Sequence, residues 1–194
     1  MKTVIGIDEA GRGPLAGPVA VGCVVIRSRA VYKAFPRVRD SKKLSPQRRD
    51  EWFAKIRRLK REGALSYAVR MVSASLIDTH GIVWAISRGI TSALKGVDAR
   101  PGMNVLLDGG LRAPQEYTHQ TTIIKGDEKE LAIALASIAA KVTRDRYMVR
   151  VGKQYPRHGF GIHKGYGTKA HARAIRKFGV TPLHRKTFCR ALTK

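Results

Sequence analysis

The chain has 194 residues, and 38 lysines and arginines against 14 aspartates and glutamates give it a formal net charge of +24. This length matches one domain that buries a core without disulfides or a structural metal. A composition of 43% hydrophobic and 27% charged residues excludes a disordered or fibrous chain. Solubility needs a net charge of only about 2–8. We therefore expect a polyanionic partner, either a nucleic acid or an anionic membrane.

The N-terminal segment and the cysteines indicate the compartment. The first residues contain one lysine and a short apolar run that charges soon follow, unlike a secretory signal. No apolar run approaches the ~20 residues of a membrane span. Cys23 and Cys189 are far apart and form no CxxC pair, which argues against a zinc site and fits a reducing compartment. We expect a cytoplasmic protein that binds nucleic acid and no membrane.

The first third of the chain predicts two strands and a helix. Residues 3–7 and 19–26 are short apolar runs typical of strands, and a glycine-rich loop separates them. A basic loop follows, and Ser45 with the next proline predicts a helix start. This helix ends near Gly63. Its arginines and lysines fit either a solvated face or direct phosphate contact, and its apolar stripe consists of Trp52, Ile56 and Leu59.

The middle of the chain predicts alternating strands and helices. Strands are indicated at 65–72, 104–107 and 121–125. Helices are indicated at 75–95 and from 128 to about 152, the first weakened by internal glycines. Three strands and a helix, followed by strands that alternate with helices, predict an α/β fold with a mixed central sheet flanked by helices.

The last 55 residues differ in charge from the rest. They contain 15 lysines and arginines and one acid, a net charge of +14, and aromatic residues are interleaved with the basic ones. Such a surface is typical of segments that follow phosphates and pack against sugars or bases. We expect a catalytic domain over residues 1–152 and a basic helical extension over residues 153–194 within the same compact unit.

Four carboxylates share one position relative to the strands. Asp8 and Glu9, Asp108, and Asp127 each stand at or just after the end of an apolar strand and close to glycine. If these strands are neighbours, the acids meet at one edge of the sheet, where they repel one another unless cations lie between them. Mg²⁺ or Mn²⁺ are the natural partners of such oxygen ligands. Two such ions in a basic protein indicate phosphodiester hydrolysis, hence a nuclease.

Simpler interpretations of the same acids remain open from spacing alone. Asp127 and Glu130 have the spacing of a capping box for the helix that follows. Asp108 with the next glycine fits a tight turn. Asp8 and Glu9 are harder to explain in this way, because one of two successive strand residues would normally face the core. A non-catalytic nucleic-acid-binding protein, whose acids are caps and turns, is therefore an alternative.

Seven segments form a specific, collinear pattern that spans most of the chain: GIDEAGRGPLAGPV at 6–19, DSKKLS at 40–45, LLDGG at 106–110, IKGDEK at 124–129, ASIAAKVTRDRYM at 136–148, HKGYGTKAH at 163–171 and LHRKTF at 183–188. This pattern closely resembles ribonuclease HII. The resemblance implies a ribonuclease H-like fold with a C-terminal helical extension. It also implies hydrolysis of the RNA strand of RNA–DNA hybrids, and cleavage of duplex DNA on the 5′ side of an embedded ribonucleotide.

The resemblance assigns the catalytic, metal-binding set to Asp8, Glu9, Asp108 and Asp127. Two divalent ions, Mg²⁺ or Mn²⁺, would serve an in-line attack of water on phosphorus that leaves 3′-hydroxyl and 5′-phosphate ends. One departure concerns the residues after Asp127, where the family usually has a small residue followed by Lys-Ser and this chain has Glu-Lys-Glu. The extra acids, Glu128 and Glu130, bear on metal affinity or preference.

Substrate-binding residues follow from the same resemblance. Gly11, Arg12 and Gly13 correspond to the family's loop for the ribose 2′-hydroxyl. The choice of residues is reasonable, because glycine lets the backbone approach a sugar closely and the 2′-hydroxyl distinguishes RNA from DNA. Judged alone, a Gly-Arg-Gly segment is more often a turn.

Three further positions and the quaternary state complete the prediction. Tyr166 corresponds to the family tyrosine that packs against the deoxyribose beside the ribonucleotide, and without the resemblance it would be interpreted as a surface tyrosine. Lys42 and Lys164 resemble phosphate-contacting positions. Asp145 lies inside a predicted helix and is interpreted as structural. We expect a monomer that acts in ribonucleotide excision, with a resolvase-like nuclease of the same fold as the nearer alternative.

Overall fold

A five-stranded mixed sheet forms the centre of the structure, a computed structural model that describes residues 3–36 and 44–193. The strands lie in the order β3-β2-β1-β4-β5. The first three strands pair antiparallel with one another, β1 with β2 and β2 with β3. The fourth strand pairs parallel with β1 and with β5, so these strands are joined by crossover connections. The strands are β1 Val4–Ala10, β2 Val19–Ile26, β3 Leu65–Val72, β4 Asn104–Asp108 and β5 Gln120–Ile123.

The helices cover both faces of this sheet, which confirms the predicted fold class. The alternation of side chains along β2 shows the two layers: Val21, Cys23 and Val25 belong to a core with α4, whereas Val24 and Ile26 belong to a core with α2 and α6. The helices are α1 Arg29–Ala34, α2 Pro46–Arg61, α3 Ala74–His80, α4 Ile82–Lys95, α5 Gly126–Lys129, α6 Leu131–Gly152, α7 Phe160–His163, α8 Lys169–Phe178 and α9 Lys186–Cys189.

The long helix α6 lies against β1 and β2 at unusually short range. A Cβ atom on Gly6 would lie 2.1 Å from the backbone carbon of Ala132, and one on Gly22 would lie 2.2 Å from the carbonyl oxygen of Ala136. Two glycines on neighbouring strands therefore let the helix backbone approach the sheet. This close packing sets the distance between α6 and the sheet beside the site described below.

Two predicted helices are interrupted in the structure. The helix predicted at 75–95 consists of α3 and α4, separated at Gly81, whose φ of +85° suits glycine. The helix predicted from 128 consists of α5 and α6, because Glu130 is extended (φ −120°, ψ 120°) and ends the first turn. The six-residue α1 lies where the sequence predicted only a basic loop. Ser28 caps it by accepting a hydrogen bond from Ala30.

Some predicted boundaries and core positions also change. β1 continues to Ala10, beyond the predicted end at residue 7, and β5 begins and ends earlier than predicted. On α2, Phe53 is buried with Ile56 and Leu59, whereas Trp52 is only partly buried and packs edge-on against Phe35. The predicted apolar face was therefore correct at two of its three positions, and Phe53 takes the place of Trp52 at the third.

The segment after α6 folds back onto the loop between β1 and β2. Two short 3-10 turns, Pro156–His158 and Arg190–Leu192, accompany α7, α8 and α9. Ala16 of the loop forms an isolated antiparallel bridge with His184, and it also packs in a small cluster with Met148 and Phe160. No helix among residues 3–36 and 44–193 is both long and apolar enough to cross a membrane.

Candidate active site

Three neighbouring strands bring the predicted carboxylates towards the same end of the sheet. β1 and β4 run parallel, and β4 and β5 run parallel, with Ile7 opposite Leu107 and Asp108 opposite Ile123. Asp8 follows Ile7 in β1, and Asp108 is the last residue of β4. This agrees with the expectation that the strands holding the acids are neighbours.

Asp8 and Glu9 lie inside β1 rather than after it, so they point to opposite faces of the strand. Asp8 is 2% exposed, and its Oδ1 accepts a hydrogen bond of 2.7 Å from the backbone N–H of Glu9. Burial raises the pKa of the Asp8 carboxyl well above its ordinary value; a hydrogen bond with Ser137 opposes this shift, and the charges of Glu9 and Asp108 add to it. Asp8 is thus a buried acid among like charges.

An open pocket of about 390 Å³ joins these acids to the glycine-rich loop. Glu9 is near the surface of this pocket, where its Oε1 lies 3.4 Å from Nη1 of Arg12. Acidic and basic side chains therefore share one concave surface. Its lining consists of Asp8, Glu9, Ala10, Gly11, Arg12, Gly13, Arg49, Asp108, Ser137, Ile138, Lys141 and Tyr166.

Asp127 has a different setting from the other three acids. It is 1% exposed within α5 and is not part of the pocket lining. The preceding residue, Gly126, donates its N–H to Oδ1 of Asp108 over 2.7 Å, so the start of α5 lies against the end of β4. The capping-box interpretation is wrong, because Asp127 is inside α5 and the long helix begins at Leu131 with Glu130 as its N-cap.

The carboxylates suit a hard divalent cation in some respects but do not form a finished metal site. Oδ2 of Asp8 is buried and has no hydrogen-bond partner in the described part of the chain, and a buried carboxylate oxygen usually has one. Like charges around it favour a cation as the missing partner. Within residues 3–36 and 44–193, however, no three His, Cys, Asp or Glu side chains are grouped so as to hold one ion.

The other predicted substrate residues are distributed between the pocket and its rim. Tyr166 is 39% exposed, and cations lie over its ring, with Nζ of Lys141 at 5.2 Å and the guanidinium carbon of Arg144 at 5.6 Å. Lys164 does not line the pocket, and its ammonium donates to the carbonyl of Gly161. Lys42 lies outside the described residues.

Polar residues of α6 that the sequence motifs did not assign to the site also contribute to it. Ser137, Lys141 and Arg144 are spaced by four and three residues, so they share one face of the helix. Lys141 pairs with Asp145 over 2.9 Å, in agreement with a structural role for Asp145. The sequence already shows these polar residues at helical spacing within an alanine-rich helix. Only the packing of α6 on β1 shows that their side chains face the site.

Comparison with known proteins gives a consistent result. The family model for ribonuclease HII matches residues 5–191. The chain is 43% identical over 185 residues to ribonuclease HII of Ruminiclostridium cellulolyticum, covering 95% of this chain and 69% of that protein. Among solved structures, ribonuclease H2 of Pyrococcus horikoshii is 27% identical, with a TM-score of 0.77 over 98% of this chain and 96% of its own.

A more distant structure shows the same fold. Bst-RNase HIII in complex with Mn²⁺ has a TM-score of 0.67 at 18% identity, and the match covers 100% of this chain and 70% of that one. The family model, the curated relative and both solved structures each match nearly the whole of this chain. The chain belongs to the ribonuclease HII family and is a metal-dependent ribonuclease.

Proposed function

We propose that this ribonuclease hydrolyses the RNA strand of RNA–DNA hybrids and also cuts duplex DNA on the 5′ side of an embedded ribonucleotide. The observation that supports this most directly is a single pocket that contains three carboxylates, the Gly11–Gly13 loop and Tyr166. Acids suited to metal-assisted phosphodiester hydrolysis thus lie beside a loop and an aromatic ring suited to a sugar. Products would have 3′-hydroxyl and 5′-phosphate ends.

Asp8, Glu9 and Asp108 would hold divalent cations, with Asp127 as the fourth acid of the set. Two ions, Mg²⁺ or Mn²⁺, would supply Lewis acidity and counter-charge at the scissile phosphate. The buried, unpartnered Oδ2 of Asp8 supports this role. Glu128 and Glu130 are outside the pocket lining, so we propose that they affect metal binding only through their charge.

The chain's own residues would bind and orient the substrate. Gly13 has no neighbouring atom within 4 Å of a Cβ position, which leaves room for a sugar against the backbone of the loop. Tyr166 presents an exposed ring for packing against the adjacent deoxyribose. Arg12 pairs with Glu9 and is half-exposed, so it can neutralise charge at the mouth of the pocket.

Several further assignments belong to the same proposal. Residues 1–152 would be the catalytic domain, with residues 153–194 as an extension that grips the duplex within the same unit. Lys164, which is outside the pocket lining, and Lys42 would contact phosphates. We propose a cytoplasmic monomer, supported as to compartment by two buried free thiols, Cys23 and Cys189.

Two alternatives are less well supported. A non-catalytic binding protein would not need a buried acid such as Asp8, and the family membership favours an enzyme. A resolvase-like nuclease would act on junction DNA. A panel of junction DNA, all-DNA duplex and hybrid separates it from the proposed activity, because only the proposed enzyme requires a ribose.

The decisive experiment maps the cut on a duplex with one embedded ribonucleotide. We expect one cut on its 5′ side in Mg²⁺ or Mn²⁺, none in EDTA, and a loss of at least about 100-fold in Asp8→Asn and Asp108→Asn. Asp98→Asn is the matched control, because Asp98 is exposed in the turn before β4, at the opposite edge of the sheet. Substantial cleavage by either site variant would contradict the metal-site assignment.

A further inference from the structure

Two buried arginines hold the glycine-rich loop, residues 11–18, by its carbonyl oxygens. Arg185 donates through Nε to Gly17, through Nη1 to Arg12 and through Nη2 to Gly11, over 3.0, 2.8 and 2.6 Å. Arg144 donates through Nε to Pro18 over 2.8 Å and through Nη2 to Ala16 over 3.1 Å. Both arginines are 0% exposed. Five hydrogen bonds from two cations therefore converge on eight residues of backbone.

Such burial is unfavourable in itself. Burial lowers the pKa of Arg185 to about 10 and lowers that of Arg144. In the described part of the chain neither guanidinium forms an ion pair, and Nη1 of Arg144 is buried without a hydrogen-bond partner. Carbonyl oxygens of the loop and two aromatic rings compensate this burial, since Arg185 lies over the ring of Phe188 at 5.2 Å and Arg144 over that of Tyr166. Two desolvated cations are therefore used to hold the shape of one loop.

The contacts of Arg185 also determine where the loop's N–H groups point. No peptide bond in the described residues is cis, so each C=O is opposite the N–H of its own peptide plane. Because the carbonyls of Gly11 and Arg12 face Arg185, the N–H groups of Arg12 and Gly13 face the other way. Neither N–H makes a backbone hydrogen bond within the described chain, and both residues line the pocket. Arg185 thereby aims two donors away from the core.

Arg144 and the loop backbone connect the loop to Tyr166. The guanidinium of Arg144 lies 5.6 Å from the centre of the Tyr166 ring. The carbonyl of Gly165 accepts hydrogen bonds from Leu15 over 2.9 Å and Ala16 over 3.3 Å. A Cβ on Gly165 would lie 2.2 Å from the carbonyl oxygen of Ala16, so the two segments are in direct backbone contact. The distance between loop and tyrosine is consequently fixed.

We propose that Arg185 and Arg144 are positioning residues for ribose selection. They hold the N–H groups of residues 12 and 13 and the ring of Tyr166 in the spacing that a ribonucleotide requires. The arginines act through the backbone and do not touch the substrate themselves. This inference rests on the proposed function, because it assumes that the loop and Tyr166 meet the sugar.

The test compares Arg185→Lys with Arg100→Lys, a control at an exposed position in the turn before β4. Lysine keeps the charge but cannot donate in three fixed directions.

In EDTA, which prevents cleavage, affinity is measured for a duplex with one ribonucleotide and for the same duplex made of DNA. We expect Arg185→Lys to lose the preference for the ribonucleotide while its affinity for DNA stays within about threefold. In Mg²⁺, kcat/KM for the ribonucleotide duplex should fall about 100-fold. Arg100→Lys should match wild type.

Thermal unfolding defines a temperature at which every variant compared is folded. If Arg185→Lys does not fold, Arg144→Lys is compared in the same way, because Arg144 makes the other two hydrogen bonds to the loop. An unchanged preference, an equal loss of affinity for both duplexes, or failure of both variants to fold would overturn the positioning role. If wild type cleaves neither hybrid nor ribonucleotide duplex and shows no preference, the proposed function itself fails.

Discussion

Asp8 shows how one residue determines both the chemistry and the stability of the site. Its carboxyl is buried by α6, faces the charges of Glu9 and Asp108, and has one oxygen without a hydrogen-bond partner in the described residues. An acid in such a place weakens the fold unless a cation compensates it. Stability and metal binding are therefore expected to oppose each other at this position.

We expect Asp8→Asn to raise the free energy of unfolding by about 1 kcal/mol in metal-free buffer, because it removes a buried charge without changing side-chain shape. Urea denaturation in EDTA measures this change. Added Mg²⁺ or Mn²⁺ should stabilise wild type more than the variant, since a ligand stabilises only the state that binds it. Asp98→Asn should resemble wild type in both measurements, and a destabilised Asp8→Asn would contradict the interpretation.

Gly6 is a second residue at which a small change, the addition of one methyl group, is expected to alter stability. We expect Gly6→Ala to lower the free energy of unfolding by roughly 1–3 kcal/mol, because the new methyl would overlap the α6 backbone at Ala132 and push the helix away from β1. Gly161→Ala is the matched control, since a Cβ on Gly161, within α7, meets nothing within 4 Å. Equal stability of the two variants, measured by chemical denaturation, would rule out this close packing.

At the scale of elements, histidines join α8 to the segment that follows it. Nδ1 of His171 lies 2.9 Å from the carbonyl of Tyr166, so it holds the proton. Nδ1 of His184 accepts from the N–H of Thr181 over 2.8 Å, so its proton is on Nε2. The two Nε2 atoms are 3.1 Å apart and form one hydrogen bond from His184 to His171. With both rings neutral, each N–H donor in this network faces an acceptor. A proton added to either ring would leave two donors facing each other.

A third histidine extends this network towards Tyr166. Nε2 of His163 lies 2.7 Å from the carbonyl of His158, and its Nδ1 accepts from Gly165 over 3.1 Å. Its ring stacks on that of His171 at 4.1 Å, and Phe160 lies beside both. Extra protons on these rings would oppose existing N–H donors, so the network depends on neutral histidines.

The network predicts how stability changes with pH. Burial lowers the pKa of His171 and of His184 to about 4, and lowers that of His163. The unfolded chain, with ordinary values near 6.5, then binds more protons than the folded one, so stability should fall as pH drops from about 6.5 towards 4. Thermal unfolding measured across this range checks the prediction.

The control for this pH profile is His119→Gln, because His119 is exposed. Its profile should overlay that of wild type. The raised pKa of Asp8 acts in the opposite direction, since there the folded state holds the extra proton, so the loss on acidification should be steeper in Asp8→Asn. Constant or rising stability below pH 6.5 in that variant would contradict the histidine network.

At the scale of the whole molecule, part of the charge of +24 lies in a second depression beside the pocket. This depression of about 400 Å³, here called the basic groove, lies between α2 and α6 and shares Arg49 with the pocket. One of its acids, Asp50, pairs with Arg146 over 2.7 Å, and the other, Asp145, pairs with Lys141. The cations of the groove are Arg49, Arg146, Arg150, Lys153 and Lys164.

We expect Arg150→Gln to weaken binding of hybrid and all-DNA duplex by the same factor, because phosphates carry no sequence or sugar information. The slope of log affinity against log salt should shrink by about 0.9, which corresponds to one phosphate contact. Fluorescence anisotropy in EDTA at several salt concentrations measures both quantities. Arg100→Gln controls for charge alone, and a slope equal to that of wild type would exclude Arg150 from the duplex path.

Local sequence predicted the strands well and the helix breaks poorly. β2 and β3 have the predicted bounds, because an apolar β-branched run between turn residues has few other structures. The breaks at Gly81 and Glu130 were missed, since apolar periodicity continues across both. Gly126 at the start of α5 donates to Asp108, 18 residues earlier in the chain, and no local pattern contains such a contact.

The sequence by itself determined the fold class and the family, and it predicted the four acids, because strand-end carboxylates and collinear motifs are local features of the chain. Tertiary structure alone decided that Asp8, Glu9 and Asp108 line the pocket while Asp127 is buried beside it. It also placed Arg185 on a loop more than 160 residues away. The reason is physical, because contacts between distant segments depend on how α6 packs on the sheet. The spacing of residues along the chain does not predict that packing.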